Sequence, residues 1–105
     1  MLTKIEHIGI AVSNLEEANK TYETLLGVAP YKAEDVVSEG VTTSFFKVGD
    51  SKIELLGATH EDSAIAKFIA KRGEGIHHIA YAVEDIVKEM KRLKNEGFKL
   101  LNETP

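Results

Sequence analysis

The chain has 105 residues, about the size of one small domain, and its 43% hydrophobic and 29% charged content is ordinary for a globular protein. The net charge is −4, the lysines are spread along the chain, and no run of about 18 apolar residues occurs, so we expect no nucleic-acid partner and no membrane span. Cysteine is absent, which excludes disulfides and thiolate chemistry and agrees with a predicted cytoplasmic location.

The first predicted element is a strand over residues 5–12, with the sequence IEHIGIAV. Side chains alternate between the two faces of a strand, so His7, Gly9 and Ala11 share one face. Two small residues in line with a histidine leave open space beside the imidazole ring. This face is therefore a candidate binding surface.

A helix and two further strands follow the first strand. Ser13 and Glu16 have the spacing of a capping box, which predicts a helix that ends at Gly27. Two stretches of strand character, 40–48 and 52–57, are separated by a tight turn. The second stretch contains a single carboxylate residue.

That carboxylate is Glu54, which lies on the face opposite Ile53 and Leu55. A short helix is predicted from about residue 63 to 72, and a glycine-rich segment then leads into the next strand. His60 lies in a polar run and is expected to be exposed.

The chain then repeats its opening motif, because IHHIAYAV has the pattern of IEHIGIAV at an offset of 71 residues. The alignment matches His7 with His78. As after the first strand, a polar pair follows, and Asp85 is expected to cap an amphipathic helix. By alternation His77 faces the opposite side of the strand, towards the helices. It can form a hydrogen bond there, or contact the metal ligand and hold it in position.

The repeat suggests two copies of one strand–helix unit. The first module, about 1–58, is expected to have the order strand–helix–strand–strand–strand. A linker helix over about 59–73 separates it from a partial second module over about 74–105, which is shorter by one hairpin.

His7, Glu54 and His78 are predicted to point inward from three different strands and to form most of a divalent-metal site. Imidazole nitrogen and carboxylate oxygen together suit zinc, manganese, cobalt, nickel or iron(II). The alternative remains open that the histidines are structural hydrogen-bonding residues and that the glutamate faces solvent.

Three segments carry a resemblance to a known family: IEHIGIAV, then IELL followed by EDSAIAKFI, then the stretch GIHHIA. The chain resembles the vicinal oxygen chelate superfamily (glyoxalase, bleomycin resistance protein and dioxygenase) and, within it, the bacterial methylmalonyl-CoA epimerases. The resemblance implies an α+β fold in which paired βαβββ modules form a curved mixed sheet around a metal cleft. Carried over residue by residue, His7, Glu54 and His78 match metal ligands of the family, some of whose members have glutamine in place of Glu54.

The sequence departs from the family pattern at two positions. The resemblance implies a fourth ligand, a glutamate that is also catalytic, and the repeat predicts its position near residue 125. We therefore expect that the last hairpin is missing from a C-terminally truncated chain or is supplied from elsewhere. In one branch of the epimerases a second catalytic glutamate lies two residues after a Gly-Val pair, and this position, after Gly40-Val41, is Thr43 here. Glu39 is the nearest carboxylate and only a weak candidate for the base.

The resemblance implies metal-dependent epimerisation of methylmalonyl-CoA by 1,1-proton transfer through an enolate, in a form expected to be impaired at this length. The cofactor would be a divalent ion such as cobalt, manganese, nickel or zinc, and the partner an acyl-CoA thioester. A glyoxalase I-type lactoylglutathione lyase and a non-enzymatic ligand-binding protein of the same fold remain alternatives. An unpaired strand edge predicts a homodimer or larger assembly, with or without exchanged elements.

Overall fold

The computed structural model describes all 105 residues as one five-stranded sheet with three α-helices. In chain order the elements are β1 (Leu2–Val12), α1 (Leu15–Leu26), β2 (Lys32–Val36), β3 (Val41–Val48), β4 (Ser51–Ala58), α2 (Ala64–Arg72), β5 (Gly75–Val83) and α3 (Ile86–Asn95). The predicted α+β class is confirmed, and so is the order strand–helix–strand–strand–strand in the first part of the chain.

β1 is the first strand of the chain but lies inside the sheet. The spatial order is β2-β3-β4-β1-β5, with β1 parallel to β4 and all other pairs antiparallel. The sheet is therefore mixed, curved and open, and β2 and β5 form its edges. Because β1 pairs with β4 on one side and with β5 on the other, side chains from these three strands can lie next to one another on one face of the sheet.

Hydrophobic residues pack against both faces of the sheet. The core under α1 contains Val12, Phe46 and Leu55, of which the last two are fully buried. The core on the other face joins Ala11 of β1 to Ile65 of α2. Alternation along β1 explains this division, since consecutive residues point to opposite faces. Burial of one large side chain in these cores contributes about 1.5–3 kcal/mol to stability.

The start of α1 differs from the prediction by one residue. Asn14 caps the helix, and its side-chain oxygen accepts a hydrogen bond from the backbone N–H of Glu17 at 3.1 Å. The expected capping box of Ser13 and Glu16 is therefore wrong, since Ser13 donates its own N–H to the Glu74 carboxylate instead. The predicted end is confirmed, because Gly27 has φ 74°, a left-handed conformation that glycine adopts without steric cost.

The second half of the chain follows the predicted repeat as far as α3. β5 covers the repeated motif, and the Asp85 side chain accepts a hydrogen bond from the N–H of Lys88 at 3.1 Å, as expected for the cap of α3. The structure has no strand after α3. None of the three helices combines the length and the apolar character required to cross a membrane.

Candidate metal centre

The three predicted ligands lie on adjacent strands at the centre of the sheet. Glu54 of β4 and His78 of β5 are both register partners of Gly9 in β1, one on each side. His7 lies two residues before Gly9 and on the same face. The fold therefore places His7, Glu54 and His78 on neighbouring strands around Gly9. Their role as metal ligands stays a prediction.

Gly9 makes room for the imidazole ring of His78. A Cβ atom at position 9 would lie 2.3 Å from Cε1 of His78 and less than 3 Å from both ring nitrogens. Such distances are far below van der Waals contact, so even alanine would displace the ring. The small residue that drew attention in the sequence is thus a steric requirement of the site.

His7 contacts both other predicted ligands, through different ring nitrogens. Its Nε2 is 3.0 Å from Nε2 of His78, and its Nδ1 is 3.3 Å from the carboxylate of Glu54. The side chains of His7 and Glu54 are only 20% and 14% exposed. For all three residues to bind one cation, the Glu54 carboxylate has to swing from the Nδ1 side of His7 to its Nε2 side.

Glu6 is a member of this cluster that the sequence analysis missed. Its carboxylate is 2.6 Å from Nδ1 of His7 and 2.9 Å from the ammonium group of Lys52. The hydrogen bonds from His7 and Lys52 lower the pKa of Glu6 to about 2, so the carboxylate is ionised at neutral pH. Simple alternation places Glu6 on the other face, but the pairing of β1 with β5 shifts register at this residue. A β-bulge of this kind re-aims a side chain, and the sequence carries no clear signal for it.

His77 also contacts the site. Its Nδ1 is 2.9 Å from Nδ1 of His78, and its ring packs edge-on against Phe68 of α2, with 4.8 Å between the ring centroids. Burial of His78, followed by the proximity of His7 and His77, lowers the pKa of the His78 imidazole. The His78 ring is therefore neutral at pH 7, the form in which histidine binds a metal.

The arrangement fits a divalent cation. Two imidazole nitrogens at about 2.1 Å from one ion and at right angles to each other would be about 3.0 Å apart, and the Nε2 atoms of His7 and His78 have this separation. Two nitrogens and one carboxylate form the mixed donor set that borderline divalent ions prefer. The three residues whose ligand atoms all lie within 4.8 Å of one another are Glu6, His7 and Glu54, without His78, because both carboxylates lie on the Nδ1 side of His7.

The other candidate residues lie apart from this cluster. Glu39 is exposed in the 3-10 turn Val37–Glu39 that precedes β3, and Gly40 after it is buried. Thr43 is 5% exposed and pairs with Leu56, so it shares the face of Glu54 without supplying a carboxylate. His60 is exposed, as predicted, with its ring against Gly40.

The chain is similar to proteins of one family. Residues 6–105 match the family described as the Glyoxalase/Bleomycin resistance protein/Dioxygenase superfamily. The ethylmalonyl-CoA/methylmalonyl-CoA epimerase of Cereibacter sphaeroides is 41% identical over 102 residues, which cover 96% of this chain and 76% of that protein.

Two solved structures show the same fold. A hypothetical protein from Bacillus halodurans superposes with a TM-score of 0.89 at 44% identity, covering 97% of this chain and 74% of that one. A variant of Streptomyces coelicolor methylmalonyl-CoA epimerase in complex with 2-nitronate-propionyl-CoA superposes with a TM-score of 0.86 at 34% identity, covering 100% and 77%. This chain thus spans about three quarters of the length of these relatives.

Proposed function

This chain belongs to the Glyoxalase/Bleomycin resistance protein/Dioxygenase superfamily, and from that premise we propose that it acts as a metal-dependent methylmalonyl-CoA epimerase. The observation that carries the proposal is the pair of repeat-equivalent histidines, His7 and His78, whose Nε2 atoms lie 3.0 Å apart beside a carboxylate. Similarity to proteins named methylmalonyl-CoA epimerase favours this reaction over others that use the same scaffold.

In the proposed site, His7 and His78 would hold a divalent cation through their Nε2 atoms, and Glu54 would supply a third ligand with its carboxylate. When bound, the cation supplies positive charge that stabilises negative charge on a thioester oxygen as the α-proton leaves. Both histidines serve as neutral ligands. The lowered pKa of His78 keeps its ring unprotonated at neutral pH.

Epimerisation requires one base on each face of the α-carbon, to remove the proton and to return it from the other side. On β3 the uncharged Thr43 stands where the family resemblance places a carboxylate base. Glu39 remains a weak candidate, because it is exposed in the turn before β3. Because neither Thr43 nor Glu39 is a well-placed base, we expect proton transfer to be slow. The proposed substrate is an acyl-CoA thioester, the proposed assembly is a homodimer or larger, and the proposed location is the cytoplasm.

Deuterium exchange tests the reaction. The purified chain, one epimer of methylmalonyl-CoA and cobalt are mixed in deuterated water, and deuterium at the α-carbon is followed by mass spectrometry. We expect slow exchange that depends on cobalt and is lost in His7→Ala and His78→Ala. His60→Ala is the matched control and keeps the exchange, because His60 lies outside the cluster.

Two outcomes would contradict the proposal. Turnover of a glutathione hemithioacetal without exchange of methylmalonyl-CoA would identify a glyoxalase I-type lyase. Calorimetric titration that shows no cobalt or nickel binding, with no difference between the wild type and His7→Ala, would favour a metal-free ligand-binding protein. Rapid exchange would support the reaction but contradict the expected impairment.

A further inference from the structure

Glu6 and His77 occupy equivalent positions in the two repeats, each directly before a proposed metal ligand. The Glu6 carboxylate is 2.6 Å from Nδ1 of His7, and Nδ1 of His77 is 2.9 Å from Nδ1 of His78. In both repeats the preceding side chain thus occupies Nδ1 of the histidine. The Nε2 atoms of His7 and His78 are not engaged by these preceding side chains, and the two Nε2 atoms face each other.

A local irregularity in strand pairing makes each contact possible. Neighbouring residues of a regular strand point to opposite faces and do not meet. In the pairing of β1 with β5, the register passes from Ile5 to His7 on one strand and from His78 to Ile76 on the other. Glu6 and His77 are the residues left over at these two shifts, and such bulges turn a side chain out of the normal alternation.

The hydrogen-bond network assigns a tautomer to each of the three rings. An ionised carboxylate only accepts hydrogen bonds, so Glu6 requires the proton of His7 to be on Nδ1, and Nε2 of His7 carries a lone pair. At 3.0 Å, Nε2 of His78 then donates to Nε2 of His7. Nδ1 of His78 is consequently an acceptor, and His77 donates to it.

We propose that Glu6 and His77 are positioning residues that hold Nδ1 of His7 and Nδ1 of His78, so that both Nε2 atoms are directed to one shared cation. The inference rests on the metal site proposed above and extends it to two residues outside the ligand set. Lys52 supports the same arrangement, because its ammonium group binds the Glu6 carboxylate at 2.9 Å. A partner on the second ring nitrogen fixes the orientation and tautomer of a metal-binding histidine.

The two histidines respond differently when a cation binds. His7 already presents a lone pair at Nε2, whereas His78 has to give up its Nε2 proton. His77 passes its Nδ1 proton to Nδ1 of His78, the Nε2 proton of His78 leaves to water, and a proton from water adds to the exposed Nε2 of His77. The number of bound protons is unchanged, and the hydrogen bond between His77 and His78 reverses its direction.

Nitrogen-15 NMR of the histidine rings tests the arrangement in the metal-free wild-type chain. We expect His7 to carry its proton on Nδ1 and His78 on Nε2, with His78 changing to Nδ1 when zinc is added. In Glu6→Ala the preference of His7 for the Nδ1 tautomer should weaken, because only the Glu54 carboxylate, 3.3 Å from Nδ1, is left to accept that proton. A His7 proton on Nε2 in the metal-free wild type would overturn the inference, and this readout requires neither a variant nor a bound metal.

Calorimetric titration with cobalt provides the second readout. Glu6→Ala and His77→Ala should each bind cobalt about 10- to 100-fold more weakly, the usual effect of removing a residue behind a ligand. His77→Gln, whose amide oxygen accepts a hydrogen bond, should recover part of the affinity. The matched controls are Glu34→Ala, which removes a strand carboxylate paired with Lys32 at 3.3 Å, and His60→Ala.

The outcomes separate the two proposals. If the wild type binds cobalt and both variants bind it equally well while retaining the wild-type amide spectrum, the positioning roles are wrong and the metal site stands. If the wild type binds no cobalt, the metal site fails, and the tautomer of His7 still decides whether Glu6 orients it.

Discussion

At the scale of single residues, the size of Gly9 controls where the His78 ring can lie. We predict that Gly9→Ala weakens cobalt binding at least tenfold, because the added methyl group would lie 2.3 Å from the ring and force it away from His7. The cost in the free energy of unfolding should be about 1–3 kcal/mol, typical of overpacking. Calorimetric titration and thermal unfolding measure the two effects.

Gly57→Ala is the control for this experiment. A Cβ at Gly57 would lie 3.0 Å from Cβ of Leu15, on the face under α1 and away from the histidines. This variant should lose stability and keep its cobalt affinity. Equal cobalt affinity in Gly9→Ala and the wild type would show that the His78 ring is not held by the space above Gly9.

At the scale of elements, α3 is attached to the sheet through one buried carboxylate. Glu89 is 3% exposed, its carboxylate is 3.0 Å from the amino group of Met1 at the start of β1, and it also pairs with Arg92. Hydrogen bonds from Arg92 and then from the terminal amino group lower the pKa of Glu89 below its usual value of 4.5. Ionised Glu89 therefore stabilises the folded chain.

We predict that the contribution of Glu89 depends on pH. A carboxylate whose pKa is lower in the folded state stabilises that state above the unfolded pKa, near 4.5, and loses this effect as the pH falls through the folded value. The melting temperature of Glu89→Gln should thus be lower than that of the wild type at pH 7, and the difference should shrink below about pH 4.5. Circular dichroism melts at both pH values measure it.

Glu61→Gln makes the same chemical change at an exposed position and should leave the melting temperature unchanged. A difference between Glu89→Gln and the wild type that persists unchanged at pH 3 would mean that charge at Glu89 is not what holds α3.

The sequence predicts the positions of some strands and helices better than those of others. The repeat is sufficient to place β1, β5 and the Asp85 cap of α3, because both copies carry the same alternating pattern of apolar residues. The sequence predicted that a strand follows α1, but not which residues form it. This strand, β2, is almost entirely exposed over Lys32–Val36 and lacks a hydrophobic alternation. β5 is also an edge strand, but its apolar alternation made it recognisable, and β2 has no such alternation.

The residues of the candidate site also differ in whether the sequence predicts their positions. His7, Glu54 and His78 follow from alternation within single strands. Glu6 and His77 do not, because their side chains are turned by register shifts that arise only when β1 pairs with β5. Strand pairing over about 70 residues is a tertiary property, and local sequence carries little information about it.

At the scale of the whole molecule, β5 has a free edge and an exposed apolar surface. It pairs only with β1, and its side chains Ile76, Ile79 and Tyr81 are 60%, 42% and 51% exposed. Unpaired strand edges of this kind favour association with another chain. We predict a dimer or larger assembly at micromolar concentration, measured by light scattering.

Tyr81→Lys should shift this assembly towards the monomer, because charge on an edge strand opposes pairing. Tyr31→Lys is the matched control, since Tyr31 is also 51% exposed but lies just before β2 at the other edge of the sheet. A monomeric mass for the wild-type chain would contradict the predicted assembly.

The internal position of β1 has a consequence for how the chain folds during synthesis. β1 is synthesised before both of its partners, and the residues of β4 and then β5 that pair with it follow more than 40 residues later. Contacts between such distant segments form slowly, because a long loop has to close first. His7 therefore lies in an unpaired strand until then, and it can meet both Glu54 and His78 only after β5 has joined the sheet.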